Sequence, residues 1–248
     1  MSAPFSQSEA TVRLEWGPLG PGALAADACV VVDVLSFTTS VGVAVEAGAR
    51  VWPFPWRDER TASYAASLGA VVAAGRRAAA PGEVSLSPVG LRAAASLERL
   101  VLPSPNGSTI CAAIPEGARV VAGSLRNRTA VAAALADVLR GGGSVALVPA
   151  GERWADGSLR PAVEDLWGAG AVALELEEAG IGVLSPEARA ATAAFRAVAD
   201  DVPGALHACA SGRELAEGGF AGDVDVAAEV DSSLVVPERG GDGAFAAQ

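Results

Sequence analysis

Lysine is absent from this 248-residue chain, and histidine and asparagine nearly so, with one and two copies. His207 alone rules out a clustered histidine metal site, and any histidine-assisted nucleophile would rest on that one residue. The three cysteines, Cys29, Cys111 and Cys209, lack metal spacing and sit among apolar residues, as buried free thiols do in a reducing compartment. No apolar run approaches the roughly 20 residues needed to span a bilayer. The opening MSAPFSQSEATV has neither the cationic start nor the apolar core of a secretory signal. The expectation is a cytoplasmic protein with no membrane partner. All 18 cations are arginine and the net charge is −11, so the surface repels phosphate backbones and nucleic acid is not an expected partner. With 51% hydrophobic and 19% charged residues, the chain can bury a sizeable core. Its chemistry must come from carboxylates, amides, hydroxyls and arginines.

Strand and helix patterns alternate along the chain. Strands are expected at 11–16, 28–35, 50–54, 70–74, 99–102, 119–122 and 144–148, with a short one at 233–236. Helices are expected at 38–48, 57–68, 107–114, 125–139, from Pro161 onward, 186–199 and 204–217. Residues 76–98, broken by Pro81, Gly82 and Pro88, read as an inserted loop. No repeat or linker divides the chain, which predicts one α/β domain over 11–237 with disordered termini at 1–10 and 238–248.

In parallel α/β sheets, side chains just past the carboxyl ends of strands converge on a ligand. Four apolar strands here end in polar clusters: 33–39, 104–109, 123–127 and the 149–165 loop. Asp33, inside VVVDVL, needs a cation, a metal or several donors if it is buried, although a turn-capping role would also account for it. Ser36, Thr38 and Thr39 open a helix whose free amides suit an anion or simply receive caps. Asn106-Gly107-Ser108-Thr109 combines turn geometry, close backbone approach and hydroxyl donors. Gly123-Ser124 and Asn127 supply a third such helix start. Glu164-Asp165 either favour the first turn of their helix electrostatically or, with Asp33, hold Mg²⁺ through oxygen ligands. Asp200-Asp201, Asp231 and His207 read as caps, solvated loop and a structural histidine.

The segments DVLSFTTS (33–40), PNGST (105–109), GSLRN (123–127), PAVEDLWGAGAV (161–172), ADD (199–201) and VDSSLVVP (230–237), in that order, resemble the 2-phosphosulfolactate phosphatase family. The resemblance covers about residues 28–237. It implies a three-layer α/β/α fold with a mixed, largely parallel sheet. It also implies a Mg²⁺-dependent hydrolase that converts 2-phospho-3-sulfolactate to 3-sulfolactate and phosphate, a step of coenzyme M formation. Carried over by position, the catalytic group is Asp33, Asn106, Ser124 and Asn127. The substrate-binding group is Ser36, Thr38, Thr39, Gly107 and Ser108, and the metal group is Asp33, Glu164 and Asp165. A symmetric homo-oligomer is the expectation by association alone.

The chain departs from the family pattern at informative places. Where the family usually has arginine and then a small residue, this chain has Ser36 and Phe37. Gly75-Arg76 stands where Gly-Glu is common, and Ser85-Leu86-Ser87-Pro88 where Gly-Asn-Ser-Pro is. Arg126 and Arg128 flank Asn127 in place of small or apolar residues. The expectation is that Arg76, Arg126 or Arg128 restores the missing positive charge from another direction, so Arg126 and Arg128 join the substrate-binding group. Two alternatives stay open: a diverged member acting on another phosphoester, and an anion-binding protein with weakened catalysis.

Overall fold

Strict alternation of buried side chains organises the fold. The structure, a computed structural model, describes residues 4–55, 58–80, 82–94 and 96–247. In β2 (Ala28–Val32), Ala28, Val30 and Val32 enter one core while Cys29 and Val31 enter another, and all five are fully buried. A strand covered on both faces reads as an unbroken apolar run, which is what residues 28–32 show.

The other strands are β1 (Val12–Leu14), β3 (Arg50–Phe54), β4 (Val71–Val72), β5 (Arg99–Pro103), β6 (Arg119–Gly123), β7 (Val145–Pro149), β8 (Glu152–Arg153), β9 (Leu159–Arg160), β10 (Pro237–Arg239) and β11 (Phe245–Ala247). The helices are α1 (Gly20–Leu24), α2 (Phe37–Glu46), α3 (Glu59–Leu68), α4 (Pro88–Ala93), α5 (Gly107–Ala113), α6 (Arg128–Arg140), α7 (Val163–Glu178), α8 (Pro186–Arg196), α9 (Val202–Ala208), α10 (Ala210–Glu217) and α11 (Ala221–Ala227).

Among the described residues nine strands form one sheet in the order β1-β7-β2-β6-β10-β11-β3-β5-β4, and β8 and β9 make a separate hairpin. Helices α6, α7 and α8 cover one face through Leu135, Val172 and Phe195. Helices α2 and α5 cover the other through Phe37, Val41 and Ile110. The result is the expected three-layer α/β/α fold with a mixed, largely parallel sheet. Gly170 lets α7 and α8 touch, because a Cβ there would lie 2.0 Å from the Ala191 carbonyl oxygen.

Two parallel groups, β1-β7-β2-β6 and β3-β5-β4, are joined by the β10–β11 hairpin, which is antiparallel to both neighbours. The groups therefore run in opposite senses. Five strand-to-strand steps separate β2 from β5, and a twist of roughly 20–25° per step accumulates to about a right angle or more. A rotation of that size is compatible with the observed meeting of the turns after β2 and β5, where the Gly107 amide reaches Asp33.

Several local expectations are corrected. The 238–248 tail is not disordered over the described residues: Glu238 pairs with Val121 and Phe245 with Val51 in the middle of the sheet. Both partners lie far upstream, so a short strand set among Gly and Asp reads locally as loop. The strand expected at 233–236 begins instead at Pro237. Residues 4–10 are tied down as well, since the Gln7 amide donates to the Leu14 carbonyl at 2.7 Å and accepts its N–H at 3.1 Å. The 76–98 loop contains α4, capped by Ser87, whose hydroxyl accepts the Gly90 amide. The helix expected at 204–217 breaks at Cys209, whose backbone is extended. The expected breaker Pro81, the helix start at 57 and the terminal residues 1–3 and 248 lie outside the described residues.

Phe245 is fully buried, so Phe245→Ala is expected to lower the unfolding free energy by about 3–5 kcal/mol. Urea denaturation measures this; an unattached tail would give no change.

Candidate active site

The turn after β2 builds the site around one carboxylate. Asp33 closes its own loop onto α2: its amide donates to Thr38 Oγ1 at 2.9 Å, and that hydroxyl donates back to the Asp33 carbonyl at 2.9 Å. Asp33 Oδ1 accepts the Phe37 amide, the first of α2, at 3.0 Å. Asp33 Oδ2 accepts the Gly107 amide, the first of α5, also at 3.0 Å. Two helix N-termini, one from each half of the sheet, thus converge on a side chain that is 6% exposed. Only glycine permits this at 107, because a Cβ there would stand 2.1 Å from the Phe37 ring and 2.9 Å from Asp33 Oδ2.

Asp165 performs a parallel task at the start of α7. Its Oδ1 accepts the Val34 amide at 2.7 Å and its Oδ2 the Gly151 amide at 2.9 Å, fastening the end of β2 to the loop after β7. Glu164, 3% exposed, is the neighbouring carboxylate, and the Cys209 thiol lies within hydrogen-bonding reach of it. Glu152, on β8, receives Asn106 Nδ2 at 2.9 Å on its Oε2.

Negative charge is crowded here. Burial pushes the Asp33 carboxyl up to about 7 and the Glu152 charge adds to this, against the Phe37 and Gly107 amides and the Arg76 guanidinium. Burial, followed by the charges of Asp33 and Glu164, holds Asp165 well above the usual carboxylate range. Glu152 is raised by burial and by Glu164, opposed by the Asn106 amide and Arg160. Burial takes the Cys209 thiol to about 12, so it is not a nucleophile near neutral pH.

The structure separates the predicted site residues into two groups. Asp33, Ser36, Asn106, Gly107, Glu164 and Asp165 gather around the ends of β2, β5 and β7. The amides expected to hold phosphate near Thr38 and Gly107 are instead directed at Asp33 or its carbonyl, since the Thr38 amide bonds the Asp33 carbonyl oxygen at 2.9 Å. The hydroxyls of Thr39 and Ser108 donate to the carbonyls of Val34 and Leu102. They hold turns together. Ser124 and Asn127 bond each other, and Asn127 Nδ2 reaches the carbonyls of Ala122 and Val235, securing the chain that leads to β10.

Arg126 and Arg128 do not reach this centre. Arg126 pairs with Glu46, the last residue of α2, at 3.1 Å and with Glu229 at 3.2 Å. Asp33 caps the first residue of that helix, so roughly 13 Å of helical rise lies between them. Arg128 pairs with Asp231 at 2.8 Å and with Glu175 at 3.4 Å, far along α7 from Glu164. Of the three arginines expected to restore the missing charge, Arg76 is the one that reaches Ser36: its Nη2 donates to Ser36 Oγ, and its Nε meets Asp223 Oδ2 at 2.6 Å. A cavity of about 480 Å³ opens beside it, lined also by Ser104, Pro105 and Phe220.

Two contributors escaped the sequence reading. Glu152 follows a strand end directly, so the rule that selected the 149–165 loop also covers it. Asp223, on α11, carries no local signal, because its partners Arg76 and Ser87 come from a segment read as loop.

The hard oxygen donors and crowded carboxylates suit a divalent cation. Among the described residues no three His, Cys, Asp or Glu side chains are disposed together as a metal cage. Asp165 already gives one bond from each oxygen to a backbone amide. Mg²⁺ needs no such cage, since one or two carboxylates with waters and substrate phosphate suffice, and Asp33 would supply one such ligand.

Buried carboxylates at strand ends and an anchored arginine beside a cavity are the kind of groups with which an α/β enzyme handles a small anion. The sequence model of the 2-phosphosulpholactate phosphatase family matches residues 20–241. A Deinococcus radiodurans protein named "Probable 2-phosphosulfolactate phosphatase" is 32% identical over 218 residues, covering 85% of this chain and 87% of that protein. The chain belongs to the 2-phosphosulfolactate phosphatase family. Among the described residues no helix is long and apolar enough to cross a membrane.

Asp165→Ala leaves two buried amides without an acceptor, and is expected to lower the unfolding free energy by about 2–4 kcal/mol. Asp165→Asn keeps one acceptor and should lose less. Equal losses in chemical denaturation would contradict the latch role.

Proposed function

We propose that the protein is a Mg²⁺-dependent phosphatase acting on a small polyanionic phosphoester, 2-phospho-3-sulfolactate, and releasing 3-sulfolactate and phosphate. Membership of the family supports the reaction class. The observation that carries the reading to this site is the closure of two helix N-termini on the buried Asp33 carboxylate, next to Arg76. Phosphoryl transfer needs mainly positioning and charge neutralisation, and these residues provide both.

Asp33 and Glu164 are the carboxylates that would hold Mg²⁺; a bound Mg²⁺ neutralises charge on the phosphoryl and leaving oxygens. The Phe37 and Gly107 amides fix the orientation of the Asp33 carboxylate, leaving each oxygen one further lone pair. Asn106 orients Glu152 by its 2.9 Å bond and keeps a second carboxylate at the edge of the site. Asp165 keeps the β2 and β7 ends in register and has a structural role.

Phosphate release from 2-phospho-3-sulfolactate and from a panel of small phosphomonoesters tests the reading. Release is expected with Mg²⁺, is lost on chelation, and falls in Asp33→Asn by on the order of a hundredfold or more, the scale of removing one preorganised charge. Preference for a different ester would move the substrate while keeping the reaction. Tight ligand binding with no release from any ester would replace the enzyme reading with an anion-binding protein.

A further inference from the structure

Arg76 is the cation best placed to meet an anion in the site. The other donors expected to do so are committed elsewhere: the first amides of α2 and α5 to Asp33, and Arg126 and Arg128 to carboxylates on distant parts of the fold. Arg77, next in sequence, is exposed and pairs loosely with Glu214 at 3.9 Å. Arg160 stacks over Trp154 at 5.8 Å, reaches Ser211 at 3.4 Å and stands opposite Glu152 in the β8–β9 hairpin.

The attachment of Arg76 is specific. Its Nε edge is held by Asp223, a carboxylate 2% exposed that also accepts the Ser87 hydroxyl and, at 3.4 Å, the Val89 amide. Its Nη2 bonds Ser36 Oγ, in the turn that carries Asp33. Two corners of the guanidinium are therefore fixed by groups from α11 and from the β2–α2 turn. Nη1 has no acceptor among the described residues, and Arg76 lines the 480 Å³ cavity. A planar guanidinium fixed on two corners presents its remaining N–H groups in a set direction, which suits bidentate capture of an oxyanion.

We infer that Arg76 is the residue that binds the substrate's phosphoryl oxygens, through Nη1 and the free hydrogen of Nη2, and that Asp223 is its positioning residue. The inference rests on the phosphatase reading for the identity of the anion. It also assigns to α11 the task of aiming an arginine that lines the cavity.

The test is calorimetric titration of inorganic phosphate, with Mg²⁺ present, into the full-length protein and its variants, alongside steady-state phosphate release. Arg76→Ala and Arg76→Lys are expected to weaken phosphate binding by about tenfold or more, as a lost bidentate contact does, and to raise KM more than they lower kcat. Added guanidinium at low concentration should partly restore binding in Arg76→Ala, which a purely structural role would not allow. Asp223→Asn should fall between Arg76→Ala and wild type, with Arg160→Ala close to wild type. Arg76→Ala strands the Asp223 charge, so the double variant Arg76→Ala/Asp223→Asn removes the pair together and decides the matter if the single variant misfolds. Wild-type phosphate affinity in any folded variant lacking Arg76, or no phosphate binding by the wild type, would overturn the inference. Wild-type behaviour of Asp223→Asn would overturn the positioning role. If the wild type binds phosphate through Arg76 yet hydrolyses no ester, the phosphatase reading fails and the assignment of Arg76 stands.

Discussion

Asp33 accepts the Phe37 amide on one oxygen and the Gly107 amide on the other, each at 3.0 Å, and so joins the two halves of the sheet. The β2 and β5 groups run in opposite senses and are joined by the β10–β11 hairpin, by this carboxylate and by the shared core under α2 and α5. Burying a carboxylate costs several kcal/mol unless donors compensate, and two oriented amides at helix N-termini are strong donors. The same bonds that pay for burial also fix the direction of the side chain. Removing the side chain would therefore affect the packing of α2 against α5 as well as any ligand chemistry.

Around that centre the charge is deliberately one-sided. Glu152, Glu164 and Asp165 stand around the same strand ends as Asp33, and burial together with neighbouring negative charge raises the proton affinity of Asp33, Glu152 and Asp165. Such crowding costs stability in the free protein and favours whatever cation enters. Arg76 offsets only part of it, because Asp223 claims its Nε edge. On the proposed reading, the excess of carboxylate would receive a metal ion and the restrained guanidinium an oxyanion.

Much of this was legible in the sequence. The apolar runs expected as strands at 28–35, 99–102 and 144–148 fall on buried strands, and the polar residues at their ends led to Asp33, Asn106, Glu164 and Asp165. What remained hidden has physical causes. Phe245 and Glu238 pair with strands far upstream, so no local period marks them. Thr38, Thr39, Ser108 and Asn127 have the residue types of a binding site, yet each hydrogen-bonds within its own turn or to a nearby loop; sequence cannot separate a hydroxyl that meets substrate from one that closes a turn. Arg126 and Arg128 follow a strand that ends beside β2, but their long side chains reach the far ends of α2 and α7. The Arg76–Asp223 pair joins residues 147 apart in the chain, and only the folded arrangement reveals it.

The most direct measurement is an anomalous-scattering crystal structure of the protein grown with Mn²⁺ in place of Mg²⁺ and with tungstate in place of phosphate. The account predicts a manganese peak on the Asp33 carboxylate and a tungsten peak within hydrogen-bonding distance of Arg76. A tungsten peak at the other end of α2, beside Arg126, with no metal at Asp33, would contradict it.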